Sequence, residues 1–116
     1  AVEVSLKMAF QYWQHKGKPD KKKFLCLDNG YHGDTLGAVS VGGIDIFHET
    51  FSPLLFETFR APSYYCYRCP LNKTYPSCDI ACADELGKTL SKNHEEIAAV
   101  IFEPLCTGSR WNDCCS

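Results

Sequence analysis

The sequence predicts an α/β fold in which parallel-type strands are covered by helices, and three observations carry that prediction. Helical and continuous apolar patterns alternate along the chain as helix, strand, helix, long loop, helix, strand. The two apolar runs, Phe24-Leu25-Cys26-Leu27 and Ala98-Ala99-Val100-Ile101-Phe102, lack polar alternation, as expected of strands buried on both faces. Between the first run and the helix after it lies Asn29-Gly30-Tyr31-His32-Gly33-Asp34-Thr35. A turn at a strand's carboxyl end that leads into a helix is where α/β proteins hold ligands.

Taken in order, Val2, Leu6, Ala9 or Phe10, and Trp13 recur at helical spacing, so a helix is under way from the first residues with no capping residue before it. It is expected to end near Gly17, because Lys18-Pro19 cannot continue it. Lys21-Lys22-Lys23 has no interleaved aromatics or glycines and reads as a solvated lead-in to the first strand. Asp34 is expected to cap a short helix over residues 35–41, stopped by Gly42-Gly43. Residues 44–65 give mixed signals: loop and short helical turns around Ile44-Asp45-Ile46-Phe47 and Pro53-Leu54-Leu55-Phe56, then a brief extended piece at residues 58–62. From about Asp79 the helical pattern returns, with Ala83, Leu86 and Leu90 on one face and Asp84 placed to pair with Lys88. That helix is expected to end near Lys92-Asn93; His94-Glu95-Glu96 is then a polar linker, and Glu103-Pro104 closes the second strand at its carboxyl end.

The net charge of -2 predicts no nucleic-acid footprint. No apolar run reaches the ~20 residues that span a bilayer, and no signal-peptide pattern opens the sequence, so a cytoplasmic address is the default expectation. Within the turn, Asn29-Gly30 accepts positive φ at low cost and Gly33 permits close backbone approach. Tyr31 brings an aromatic face and His32 a titratable imidazole, and Glu103 places a carboxylate where ligands sit in this architecture.

The run Tyr31-His32-Gly33-Asp34-Thr35-Leu36-Gly37-Ala38-Val39-Ser40-Val41-Gly42-Gly43, with Phe47-His48 and Pro53-Leu54-Leu55-Phe56, resembles the class III pyridoxal-phosphate-dependent aminotransferases. The resemblance runs from Ala1-Val2-Glu3-Val4 to Glu103-Pro104-Leu105. It implies that residues 1–105 are a fragment of the large, cofactor-binding domain of a fold-type I aminotransferase, a homodimer when whole. Pyridoxal 5'-phosphate is the implied cofactor: Tyr31 would stack on its ring, Glu103 would hydrogen-bond close to it, and His32 and Gly33 would shape the turn. Within the family the runs look most like the branch working in biotin synthesis, which implies S-adenosylmethionine as amino donor and 8-amino-7-oxononanoate as acceptor. A different amine donor is the alternative. The family's phosphate-holding segment is expected before Ala1, and its pyridine-pairing aspartate and Schiff-base lysine beyond Glu103-Pro104, so no catalytic residue is assigned within the chain and the isolated chain is expected to be inactive.

Two stretches stand outside that reading. Cys66-x-x-Cys69 and Cys78-x-x-x-Cys82, eight residues apart, have zinc-ligand spacing and would, as an alternative of another class, define a small zinc-stabilised interaction module. The other reading is reduced loop cysteines beside a pocket, with no metal. After Leu105 the chain departs from the family. Codons for Cys106-Thr107-Gly108-Ser109-Arg110-Trp111-Asn112-Asp113-Cys114-Cys115-Ser116 can be chosen that, read one nucleotide later, give the family's Val-Gln-Gly-Ala-Gly-Gly-Met. Residues 106–116 are therefore expected to be an out-of-frame tail, which the nucleotide sequence decides.

Overall fold

In the computed structural model, which describes residues 1–104, three parallel strands form one sheet in the order β2-β1-β3. The expected tail at residues 106–116 lies outside the described residues.

Helix α1 spans Val2–His15 and buries Leu6, with Val2 and Ala9 beside it. Its end is a Schellman motif: Gly17 takes φ +69, its N–H donates to Gln14 O at 3.1 Å, and the Lys18 N–H donates to Trp13 O at 2.9 Å. Trp13 also ties the helix to the sheet through Nε1, which donates to Ala98 O at 2.7 Å.

Strand β1 (Lys23–Leu27) is central, and its period-2 geometry sorts its side chains onto two faces. Phe24 and Cys26 join Leu6 and Val41 in one core cluster, while Leu25 and Leu27 join Ala61 and Ile97 in the other. Burial on both faces is why the run is continuously apolar. Helix α2 (Leu36–Val41) covers the first face through Val41. Helix α3 (Asp45–Phe51) follows, longer than the short turns expected at residues 44–47, and a 3-10 turn at Ser52–Leu54 leads on. The brief extended piece is strand β2 (Phe59–Ala61), paired with Leu25 to Leu27 of β1. A second 3-10 turn at Cys66–Arg68 precedes helix α4 (Ala81–Asn93), whose Leu86 packs on the second face. Strand β3 (Ile97–Ile101) pairs with the other side of β1.

Chain order and spatial order disagree at β1: the first connection steps one way to β2, and the next steps back past β1 to β3. Right-handed crossovers whose step direction reverses must use opposite faces of the sheet. The first runs through α2 and the second through α4, which lie on opposite faces. The reversal makes the carboxyl ends of β1 and β3 a topological switch point.

Three local expectations are corrected. Asp34 does not cap α2; the N-cap is Thr35, and neither supplies a side-chain cap bond. The last long helix starts at Ala81, because Asp79 and Ile80 take φ 48 and 55, outside the helical region. Lys88 pairs with Glu85 at 2.6 Å, three residues back, and Leu90 remains 37% exposed, so the apolar face of α4 is shorter than its spacing suggests.

Candidate functional site

The segment leaving β1 is bent by Asn29 at φ 61 and by Gly33 at φ 124. It is stitched to the chain beyond α2 by two reciprocal bonds: Asn29 N–H to Gly43 O at 3.2 Å, and Gly43 N–H to Gly30 O at 2.8 Å. Gly43 is therefore more than a helix stop. A Cβ there would lie 2.4 Å from the Asn29 nitrogen. The Gly42 carbonyl accepts from Arg60 Nη2 at 2.6 Å and from His48 Nε2 at 2.9 Å, which fixes the far wall.

Tyr31 and Glu103 meet. The Tyr31 N–H donates to Glu103 Oε2 at 3.0 Å, closing the gap between the carboxyl ends of β1 and β3. The Tyr31 ring lies 6.0 Å from the Phe47 ring, tilted by 45°. A hydrogen bond to the Asp34 carboxylate pushes the Tyr31 phenol above its usual value, which gives Asp34 a role other than the expected cap. His32 Nε2 is buried without a hydrogen-bond partner among the described residues. Burial lowers the His32 pKa, the Glu103 carboxylate opposes that shift, and the net effect favours the neutral ring. Tyr31, His32 and Gly33 line one shallow pocket with Gly30, Phe47 and His48. No lysine lines this pocket among the described residues.

The first turn of α2 is closed from α1. Glu3 accepts from the Thr35 hydroxyl and from the Ala38 N–H, the latter at 3.0 Å. The Thr35 bond, followed by those of the backbone amides, outweighs desolvation and lowers the Glu3 carboxyl below its usual 4.5. A carboxyl depressed on folding stabilises above its unfolded pKa, and that contribution is lost as pH falls through the folded value. We expect Glu3→Gln to cost up to about 1 kcal/mol at neutral pH, as for a lost cap at an accessible site. The gap in urea midpoint between variant and parent should narrow below pH 4.5. A gap independent of pH would mean that the charge is not what closes the turn.

The cysteines fall elsewhere. Cys66, Cys69, Cys78 and Cys82 line a different cavity with Tyr64, Tyr65 and Tyr75. Among the described residues no group of three or more His, Cys, Asp or Glu side chains is placed to hold a metal ion. Sequence reasoning missed Glu3, Arg60 and Tyr64. The Glu3 contact spans 35 residues to Ala38 and the Tyr64 hydroxyl reaches Glu103 O across 39, distances at which a single sequence gives no local signal.

These features define a class: an open parallel α/β sheet with an aromatic, a carboxylate and a glycine turn gathered at its switch point. The family described as "Aminotransferase class-III" matches residues 1–109, and the chain belongs to that family. It is 53% identical over 110 residues to the adenosylmethionine-8-amino-7-oxononanoate aminotransferase of Geobacter sulfurreducens, covering 94% of this chain and 24% of that protein. The solved structure of the enzyme of that name from Methanocaldococcus jannaschii superposes with a TM-score of 0.78 at 38% identity, covering 93% of this chain and 22% of that one. An amine transaminase from an uncultivated Pseudomonas species, solved with PLP bound, superposes with a TM-score of 0.82 at 37% identity, covering 90% of this chain and 24% of that one. The chain thus spans about a quarter of the length of these relatives. Among the described residues no helix is long and apolar enough to cross a membrane.

Proposed function

We propose that this chain is part of the cofactor-holding domain of a transaminase that moves an amino group from S-adenosylmethionine to 8-amino-7-oxononanoate in biotin synthesis, acting as a cytoplasmic homodimer. The observation that carries the reading is the identity of 53% over 110 residues to a relative named for that acceptor, spread across the stretch that brings Tyr31 to Glu103.

Pyridoxal phosphate, when bound, supplies the electron sink for amino transfer. By the family resemblance, the ring end of that molecule would lie against Tyr31. Tyr31 offers a flat aromatic face, and its phenol is turned to Asp34. Gly33, at a φ that L side chains rarely adopt, brings backbone close. His32, held neutral, has an unpartnered Nε2 that can hold or accept a proton at the pocket wall. Glu103 holds the Tyr31 backbone and sets a negative charge beside the site. The phosphate end requires other residues, because the Glu3 carboxylate already occupies the first turn of α2 and would repel a second anion there. The Schiff-base lysine, by the family resemblance, would come from sequence following Glu103-Pro104; among the described residues no lysine lines this pocket.

The reading is tested with a composite enzyme in which residues 1–104 of this chain replace the matching stretch of the Geobacter sulfurreducens relative. The composite is expected to bind pyridoxal phosphate, seen in its visible absorbance, and to transfer the amine of S-adenosylmethionine, while the 116-residue chain alone does neither. Tyr31→Ala in the composite should weaken cofactor binding about fivefold, the worth of one ring stack. A composite that folds yet binds no cofactor would overturn the assignment. The 0.82 TM-score to an amine transaminase favours one second reading, a simple amine as donor. Turnover with such an amine and none with S-adenosylmethionine would select it.

A further inference from the structure

Each of the three strands sends one residue from its carboxyl end to a common point. Tyr31 follows β1, Tyr64 follows β2, and Glu103 follows β3. The Tyr64 hydroxyl donates to the Glu103 backbone carbonyl, while the Glu103 carboxylate accepts from the Tyr31 N–H at 3.0 Å. Glu103 is therefore held by its main chain from one side and uses its side chain on the other.

Tyr64 is anchored in the core. Its ring packs against the cluster of Leu25, Leu27, Ala61 and Ile97, and its neighbour Ser63 is 2% exposed. Glu103 lies two residues past the end of β3, beyond the ladder hydrogen bonds, and Phe102 before it is 53% exposed. An aromatic side chain seated in the core that reaches a carbonyl at the sheet's end transfers the rigidity of the one to the other.

We propose that Tyr64 is a positioning residue of the site, whose phenol fixes the Glu103 backbone and thereby the carboxylate that engages Tyr31. The proposal deepens the transaminase reading and rests on it only for its bearing on the cofactor.

Residue-resolved hydrogen exchange on the 116-residue chain, and in parallel on the cofactor-free composite, tests the positioning itself. Tyr64→Phe keeps the ring and removes the donor. Exchange at the Tyr31 amide is expected to rise roughly three- to tenfold, the net worth of one hydrogen bond, with the Leu25 and Cys26 amides of β1 unchanged. In a Glu103→Ala background the same substitution should leave Tyr31 exchange where it was, because the acceptor being positioned is gone. An unmoved Tyr31 amide in Tyr64→Phe alone overturns the proposal. A uniform rise across β1 does so too, since it reduces Tyr64 to a packing residue. Titrating the composite with pyridoxal phosphate adds an independent readout: Tyr64→Phe should weaken binding by a comparable factor, and unchanged affinity would cut the link between Tyr64 and the cofactor. If the unsubstituted composite binds no pyridoxal phosphate, the proposed function falls, and the exchange data still decide for or against Tyr64.

Discussion

Gly43→Ala is expected to be the most damaging single-methyl change in the chain. The added carbon would sit 2.4 Å from the Asn29 nitrogen and 3.0 Å from both the Asp28 carbonyl carbon and the Leu27 oxygen. All three are backbone atoms at the end of β1, so no side chain can swing aside to relieve the contact. The turn must move, and with it go the two bonds that join Asn29 and Gly30 to Gly43. Overpacking of this kind costs about 3 kcal/mol, with the lost bonds adding to it, out of a total domain stability of roughly 5–15 kcal/mol. Gly87→Ala is the matched control: it lies in α4 with no atom within 4 Å of the new methyl, and should stabilise by about 0.5–1 kcal/mol through helix propensity. Urea midpoints of both variants, in the chain and in the composite, should move in opposite directions. The composite carrying Gly43→Ala should also lose cofactor absorbance, since Tyr31 follows the displaced turn. Equal midpoints for the two variants would show that the turn has slack the geometry denies.

Leu25→Ala is expected to cost about 3 kcal/mol, within the range of 2–5 found for large-to-small changes in cores. Leu25 has no exposed surface, sits in the central strand, and packs with Leu27, Ala61 and Ile97, while Phe59, Val100 and Leu86 close around it. Its pairing partners are Phe59 on one side and Val100 on the other, so the backbone cannot collapse into the void without breaking one ladder or the other. Val4→Ala removes similar atoms at a residue 59% exposed on α1 and should be nearly neutral. The comparison is made by urea titration. A Leu25→Ala cost no larger than that of Val4→Ala would mean that the second core cluster does not form as described.

The class of fold was legible in the sequence because burial on both faces leaves a mark that needs no neighbours. Phe24 to Leu27 are apolar and buried in the central strand, whereas the second run is corrected: β3 spans Ile97–Ile101 as an outer strand of this sheet, half-buried beyond Ile97, and Phe102 is 53% exposed; the alternation of such runs with helical periods still marks the class. The stop at Gly17 was legible for the same local reason, since only glycine takes φ 69 at no cost. The turn after β1 was legible from its residue types, and Asn29 and Gly33 do take positive φ there.

What the sequence could not decide was which side chain meets which. Asp34 has the composition of a cap, yet it serves the Tyr31 phenol, and the cap's work passes to Glu3 from another helix. Asp84 and Lys88 have helical pairing distance, yet the ammonium chose Glu85. The four cysteines have ligand spacing, yet they line a cavity without forming a metal-competent group among the described residues. In each case local spacing offered more than one partner; the Lys88 and Asp34 choices are themselves local, whereas the contact of Glu3 with Ala38 is made by long-range packing. The meeting of Tyr31, Tyr64 and Glu103 is the extreme instance, because it exists only once the step from β2 to β3 has passed back over β1 and brought three strand ends together. Sequence by itself determined most of the elements and the turn; the reversal of strand order, a property of no single segment, decided which side chains meet at the strand ends.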